Sequence, residues 1–253
     1  MTRPRTTATK IAPGSRGSTD VVHEVLRAEI LSGTIPAASR LSQAQVAERF
    51  GISRGPVREA FRLLQREGLL EVEVNRRARV ARLSLEDVEH VYALRVVNES
   101  LALAVSLPRF SEEELDEMDR LVASVGAADP VDFEMWERQH QLFHELLFAH
   151  AGADMRRSLL EWADHTERYR RVYVTHDGGG WRLGAAEHAD LASACRRRDA
   201  ATATNLLARH LSRAALTLVT IIDPAYEPHL LRAAIRQVVT SGRVVEGLGE
   251  HHD

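Results

Sequence analysis

Between Phe50 and Phe61 the chain reads FGISRGPVREAF, and its glycine and proline leave few conformations open. Gly51 breaks a helix that reaches it. Pro56 has no N–H and is tolerated in a helix only in the first turn, where amides lack intrahelical partners. A helix therefore has to begin near Ser53, whose hydroxyl is of the kind that caps such a start. From there Val57, Phe61 and Leu64 recur at the i, i+4, i+7 spacing of one apolar face. Arg54, Arg58 and Arg62 repeat every fourth residue on ground that this face does not use. Alone, such arginines describe either a solvated surface or a docking face, and the surrounding sequence has to decide.

Upstream, Val21, Val22, Val25, Leu26 and Ile30 predict a helix over about 20–32, ended by Gly33. A second helix over about 42–50 carries Val46 and Ala47 inward. The third spans about 54–67 and stops at Gly68. Beyond it, LLEVEVNRRARVARL alternates apolar and polar residues on both sides of Asn75-Arg76-Arg77, the pattern of a two-stranded hairpin. Three short helices and a hairpin within residues 19–83 predict a winged helix-turn-helix with the third helix as its recognition element. Packing Val57, Phe61 and Leu64 inward pushes Arg54 and Arg58 outward at the groove-entering end of the helix, where Ser53 and Gly55 are their neighbours in sequence. That end favours phosphate through the helix dipole, and guanidinium forks match guanine edges. Arg62 and Arg66 lie further along, toward the DNA backbone or solvent, while Arg76, Arg77 and Arg79 crowd the wing tip.

Charge supports this division. Residues 1–82 hold 15 Lys+Arg against 8 Asp+Glu, or +7, while the rest holds 18 against 28, or −10. A basic first third on an acidic remainder predicts two domains, the first attracted to a polyanion. Hydrophobic content of 44% with 27% charge is that of a globular protein, and no apolar run is long enough to cross a bilayer. Residues 1–18, rich in Thr, Pro, Gly, Ser and Arg, read as a disordered basic arm without the apolar core of a secretory signal. A single cysteine, Cys195, excludes an internal disulfide and a multi-cysteine metal site. A cytoplasmic protein without membrane attachment is the expectation.

From Ser84 onward nothing reads as strand. Ser84 caps a long helix that ends before Pro108, and Ser111 with Glu114 forms a capping box for the next. Further helices are predicted from Asp129-Pro130 to about His150, then over about 154–174, 181–198 and 199–222. Six such helices over 84–223 predict an all-α antiparallel bundle able to enclose a cavity. The extension 224–253 reads either as an added amphipathic helix or as a loose tail. Its closing EHHD resembles a metal motif only weakly. Of the twelve histidines, seven lie in the bundle apart from His90 in its linking first helix: His140, His144, His150, His165, His176, His188 and His210. His140 and His144, four apart, share a helical face and can grip one ion. His188 and His210 sit on later helices in apolar-periodic settings. Spacing alone leaves hydrogen-bonded core histidines as an equal alternative.

The stretch GISRGPVREAFRLLQREGLL resembles the signature of GntR-type transcription regulators almost throughout. The resemblance implies that Ser53, Arg54 and Arg58 contact DNA and that a homodimer acts on a palindromic operator. Three departures stand out. The family's Pro-Gly ahead of the second helix is Ala37-Ala38 here, a usual wing glycine is Arg77, and Ala44 replaces a position often polar. An all-helical domain after this winged helix resembles the FCD effector domain of the FadR subgroup. Its metal-binding members carry D-x-x-x-H, E-H and H-L elements, matched here by HQLFH, AEH and ARHL. The resemblance thus implies a metal set of His140, His144, His188 and His210, with His140 replacing the usual aspartate. An all-nitrogen set favours a divalent ion such as zinc, nickel or copper over manganese. It also implies a small organic acid effector near Arg95, which alternatively forms a buried ion pair with Glu99. At least one of Arg168, Tyr169, Arg170 and Arg171 has to face inward as well.

The expected function is a ligand-responsive, metal-containing DNA-binding regulator, a repressor in its simplest form and not an enzyme. The rival is an all-α metal-dependent hydrolase with a nucleic-acid-binding front end, since a histidine-bound metal with an open position activates water. Against it, Glu187, the acid beside His188, points about 100° away on the helix. A nucleoid protein binding DNA without sequence preference is a third reading.

Overall fold

A computed structural model describes residues 17–31, 33–73, 77–82, 84–127, 133–175 and 179–248. The chain divides into two compact units, residues 1–83 and 84–253.

The first unit contains α1 (Ser18–Leu31), β1 (Arg40–Ser42), α2 (Gln43–Phe50), α3 (Arg54–Arg66), β2 (Leu70–Glu73) and β3 (Arg77–Val80). Its core joins Val22, Leu26 and Ile30 of α1 to Val46 and Phe50 of α2 and to Val57, Phe61 and Leu64 of α3. Each amphipathic helix has one stripe to bury, and three stripes facing one another remove all of them from water. Gly51 follows α2 at φ 69°, and its N–H reaches the Ala47 and Glu48 carbonyls. Only a residue at ease in the left-handed region makes that turn cheaply. Ser18 already lies in α1, so the helix starts inside the stretch read as arm; the rest of that arm, apart from Gly17, lies outside the described residues.

The sheet holds one strand more than the sequence pattern predicts. β2 and β3 pair antiparallel, Leu70 opposite Val80, and β1 adds to the far side of β3 with Arg40 opposite Arg79. Three residues, Arg-Leu-Ser, are too few to display a period of two. A turn brings β1 into place. Ala38 adopts φ 64°, its N–H donates to the Val80 carbonyl at 2.8 Å, and Val80 N–H returns to Ser39 O at 2.8 Å. The position where the resembling family has glycine is thus held here by alanine in a conformation that costs an L-residue about 1–2 kcal/mol.

Among the described residues, the second unit has the six expected helices, α4 (Leu85–Ser106), α5 (Glu112–Ala127), α6 (Phe133–Leu147), α7 (Ala153–Thr175), α8 (Gly179–Arg196) and α9 (Ala200–Ile222), and the extension adds α10 (His229–Leu248). Asp129 and Pro130, read as the start of the third bundle helix, lie outside the described residues. Ser84 accepts from Asp87 N–H at 3.2 Å. Ser111 and Glu114 exchange bonds at 2.8 and 3.2 Å, the reciprocal pattern of a capping box. α4 runs through the middle, packed against α7, α9 and α10. The extension is anchored, because the buried Glu89 carboxylate accepts from Leu230 N–H (2.5 Å), Leu231 N–H (3.2 Å) and the Tyr226 hydroxyl (2.6 Å). An anion at a helix N-terminus satisfies orphan amides and complements the dipole.

Candidate functional site

The first candidate surface is the outer side of α3. Val57, Phe61 and Leu64 are buried, whereas Arg54, Arg58 and Arg62 are exposed. Ser53 occupies the N-cap position with extended backbone, yet its hydroxyl makes no capping bond. That corrects the capping role read from sequence and leaves the hydroxyl at the end of α3. Around Gly55 only Ser53 Oγ, at 3.9 Å, would meet an added Cβ, so the backbone there is open to approach. Arg62 pairs with Glu59 at 3.1 Å, and Arg58 reaches the same carboxylate at 3.5 Å. Both pairs are exposed and weak, so phosphate competes for these arginines at little cost. Of the wing residues, Arg77 begins β3 and its side chain is not described, while Arg76 lies outside the described residues.

The second candidate is a buried histidine cluster in the bundle. α6 supplies His140 and His144, α8 His188 and α9 His210, each offering a nitrogen such that all four lie within 4.8 Å of one another. Burial pushes the His144 imidazole down to about 4 and those of His140 and His188 well below 6.5. Neutral imidazoles with free lone pairs are what a metal requires. His188 Nε2 and His210 Nε2 stand 3.2 Å apart. His144 Nε2, His140 Nδ1 and His188 Nδ1 are buried without a hydrogen-bond partner. Buried nitrogens left without a partner are costly unless something satisfies them. The donor set fits a divalent ion of borderline softness.

Carboxylates behind the ring fix which nitrogen points inward. Glu187 accepts from His210 Nδ1 at 2.8 Å and is itself held by Arg213, Nε to Oε1, at 2.6 Å. Burial alone would raise Glu187, but those two partners bring it down to about 2. His210 consequently turns Nε2 toward its neighbours. Glu99 approaches His144 more loosely, its Oε2 lying 3.5 Å from Nδ1, within ion-pair range but without a hydrogen bond. Burial opposes the Glu99 charge as well, and Arg95 and His144 restore it, giving about 2. Such outer partners orient ligands and raise their basicity. Sequence reading missed the Glu187 role, although its offset of about 100° from His188 is what aims it at the adjacent helix. Trp136, one turn before His140, stacks on that ring at 4.5 Å. The other bundle histidines are elsewhere: His150 meets Glu114 at 3.0 Å, His165 meets Asp87 at 2.7 Å, and His176 lies outside the described residues.

A cavity of about 210 Å³ opens beside His140 and His144, walled by Leu142, Phe148 and Leu160 and edged by Arg95, Arg138 and Arg170. Arg95 forms the buried ion pair of the alternative reading, donating Nε to Glu99 at 2.5 Å and Nη1 to Thr166 at 2.7 Å, and it also lines this space. Arg170 is the inward member of its cluster, held by Glu137, by Thr166 Oγ1 at 2.6 Å and by Ala163 O at 2.8 Å. Arg168, Tyr169 and His165 point from another side of α7 to Asp87, in the first turn of α4. Tyr169 OH also accepts from Ser84 N–H at 3.4 Å. One helix thus touches the cavity with Ala163 and Arg170 and the start of the second unit with Tyr169.

Comparison with known proteins identifies both units. The model of bacterial regulatory proteins of the gntR family matches residues 18–80, and that of the FCD domain matches 90–213. The chain is 31% identical over 204 residues to the HTH-type transcriptional regulator BphR of Paraburkholderia xenovorans, covering 78% of this chain and 83% of that protein. It is 26% identical over 221 residues to the HTH-type transcriptional repressor GlaR of Escherichia coli, covering 79% and 93%. The solved structure of E. coli McbR/YncC superimposes with a TM-score of 0.67 at 18% identity over 81% of this chain and 99% of that one, a likeness of fold. The relatives are named as transcriptional regulators, and Glu187, the acid nearest to a general base, is committed to His210 and Arg213; the hydrolase reading falls. No helix among the described residues is long and apolar enough to cross a membrane. The chain belongs to the GntR family of bacterial DNA-binding transcriptional regulators, with an FCD domain behind its helix-turn-helix.

Proposed function

We propose that residues 19–83 read a palindromic operator in the cytoplasm as part of a repressing homodimer. Residues 84–223 sense a small carboxylate at a divalent metal held by His140, His144, His188 and His210, and α10 of the extension 224–253 braces that domain. The convergence of four buried imidazole nitrogens beside an arginine-edged cavity carries the reading. A metal bound there supplies a cationic centre able to accept a carboxylate oxygen. The chain's own groups do the rest. Arg95 and Arg170 add positive charge on the cavity side, and Leu142, Phe148 and Leu160 give an apolar wall to the carbon skeleton. Zinc or nickel suits the all-nitrogen set better than manganese does. On the DNA side, Ser53, Arg54, Gly55 and Arg58 meet base edges and phosphates, Arg62 meets the backbone, and Arg76 and Arg77 extend the contact at the wing.

Signalling from cavity to reader follows α7. A ligand shifts the balance between two arrangements only by its differential affinity for them. A carboxylate that draws on Arg170 acts on the helix that also holds Asp87 and Ser84 at the entrance to the domain. The test is fluorescence anisotropy on a fragment of the protein's own promoter, with zinc or nickel, a panel of short carboxylates, and unrelated competitor DNA. Specific binding released by one carboxylate only in the presence of metal supports the reading. Binding indifferent to every carboxylate, or abolished equally by competitor, contradicts it.

A further inference from the structure

A second hollow, of about 580 Å³, lies between α9 and α10, with Glu187 of α8 on its border. It exceeds the cavity beside His140 and is of the size of clefts that take small organic ligands. Leu216, Thr217, Thr220, Ile235 and Val239 of its wall lie beyond residues 90–213, so the stretch matched as an FCD domain does not make this space alone. Charge within it is uneven. Glu187 is the one carboxylate among the described residues that line it, and Arg213 answers it with Nε to Oε1 at 2.6 Å and with Nη2 to Oε2. Nη1 of Arg213 donates to the Tyr173 hydroxyl, which leaves two of the five guanidinium N–H groups uncommitted. Arg209, one turn earlier on the same face of α9, is exposed and has no partner among the described residues. One positive charge is therefore uncompensated. The nearby hydroxyls add no donor, because Ser212 Oγ gives its proton to Ala208 O at 2.5 Å and Thr220 Oγ1 to Leu216 O at 2.9 Å. Leu216, Ile235 and Val239 supply branched apolar surface, and Leu216 stands about 10 Å along α9 from Arg209.

We propose that this hollow binds an organic monoanion, a carboxylate carrying a broad apolar body, at a site separate from the histidine cluster. Arg209 and the spare N–H groups of Arg213 hold the carboxylate, and charge-assisted bonds of this kind are the strong ones. The apolar body lies along Leu216, Ile235 and Val239, where contact removes apolar surface of both partners from water. Each half of this recognition fails alone. An uncharged molecule of the same shape leaves Arg209 to solvent, and a short acid such as acetate does not span the distance from Arg209 to Leu216. A dianion brings its second charge toward Glu187, a like-charge contact that selects against it. The site is distinct from the cavity beside His140, because Arg209 and Arg213 do not line that cavity and Arg138 and Arg170 do not line this one.

Isothermal titration calorimetry of the full chain with 2-naphthoate, run with chelator so that no metal is bound, tests the proposal apart from metal sensing and from DNA. Saturable binding at one site per chain is expected. 2-Naphthamide, which keeps the shape without the charge, and acetate, which keeps the head without the body, are each expected to bind at least about 10-fold more weakly. Arg209→Ala changes an exposed side chain without a partner, so the fold survives it, and 2-naphthoate affinity should fall about 10-fold. Arg209→Lys keeps the charge and should recover most of that loss. Ile235→Asp sets a like charge on the apolar wall and should abolish binding, with thermal melting to confirm that the chain is folded. Arg138→Ala, at the cavity beside His140, should leave the titration unchanged. Absence of saturable binding, equal binding of 2-naphthamide, or a loss caused by Arg138→Ala and not by Arg209→Ala overturns the proposal. If 2-naphthoate meets these criteria while promoter binding ignores every short carboxylate and metal, this site stands and the metal-sensing reading alone fails.

Discussion

Glu187 Oε2 lies 2.8 Å from His210 Nδ1, and that contact decides which face of the imidazole is free. With Nδ1–H donated outward, Nε2 presents its lone pair to His188 and to the rest of the cluster. Glu187→Ala leaves all four histidines in the chain but removes the group that orients one of them. Loss of such an outer partner lowers metal affinity by about 10–100-fold. A competition titration with a chromophoric chelator should show that loss for zinc, and an unchanged affinity contradicts the assigned role.

The same cluster makes metal-free protein sensitive to acid. Burial holds His140 and His188 well below 6.5 and His144 at about 4, so these rings stay neutral in the folded state where the unfolded chain would take up protons. A depressed folded pKa contributes stability that is complete above the unfolded value and is lost as pH falls. Each such histidine contributes a slope of up to about 1.4 kcal/mol per pH unit below about 6.5. Thermal melts with chelator should show Tm falling steadily from about pH 7.5 to about pH 5. A flat profile would mean that the rings are not neutral and buried.

Asp87 gathers His165, Arg168 and Tyr169 onto the first turn of α4. Burial raises its carboxyl, but the bonds from His165 and Tyr169 outweigh that and bring it to about 2. Its stabilisation is therefore intact at neutral pH and is lost only in strong acid, between its ordinary value near 3.8 and about 2. Asp87→Asn should cost about 1–3 kcal/mol in chemical denaturation. It should also weaken the link between carboxylate binding and DNA release while each binding step survives. A variant as stable as wild type, with unaltered coupling, counts against α7 as the connecting element.

Ala38 stands at φ 64° in the turn that sets β1 against β3. Glycine adopts that conformation without steric cost but loses more freedom on folding, so Ala38→Gly should stabilise the first unit by about 0.5–1 kcal/mol. Denaturant titration measures this directly, and destabilisation would argue against the turn.

How far the sequence revealed these features depended on the range of the interaction. The α3 face was readable because Val57, Phe61 and Leu64 repeat within two turns. The caps at Ser84 and Ser111 were readable because donor and acceptor lie three residues apart. His140 and His144 announced themselves through i, i+4 spacing, whereas adding His188 and His210 needed the family resemblance. Glu89 capping α10, Glu187 steering His210 and Asp87 binding α7 were invisible, because each joins segments that no local period connects. Likewise β1 was hidden, its pairing fixed by the Ala38 turn rather than by its own three residues. The helix with Arg168, Tyr169, Arg170 and Arg171 shows the same limit. Only the neighbours of α7 decide that Arg170 turns to the cavity and Arg168 to Asp87.

The central claim is that α3 packs by one side so that Arg54 and Arg58 on the other can read DNA. Promoter affinity across a salt series, for wild type and for Arg54→Ala/Arg58→Ala, tests it most directly. Removing one arginine–phosphate pair makes the slope of log affinity against log salt shallower by about 0.9, and removing one arginine–base pair costs about 1–3 kcal/mol. The double variant should bind at least about 100-fold more weakly, with a shallower slope, while melting like wild type. If affinity and salt slope both persist, the arginine face is only solvated surface and the account fails.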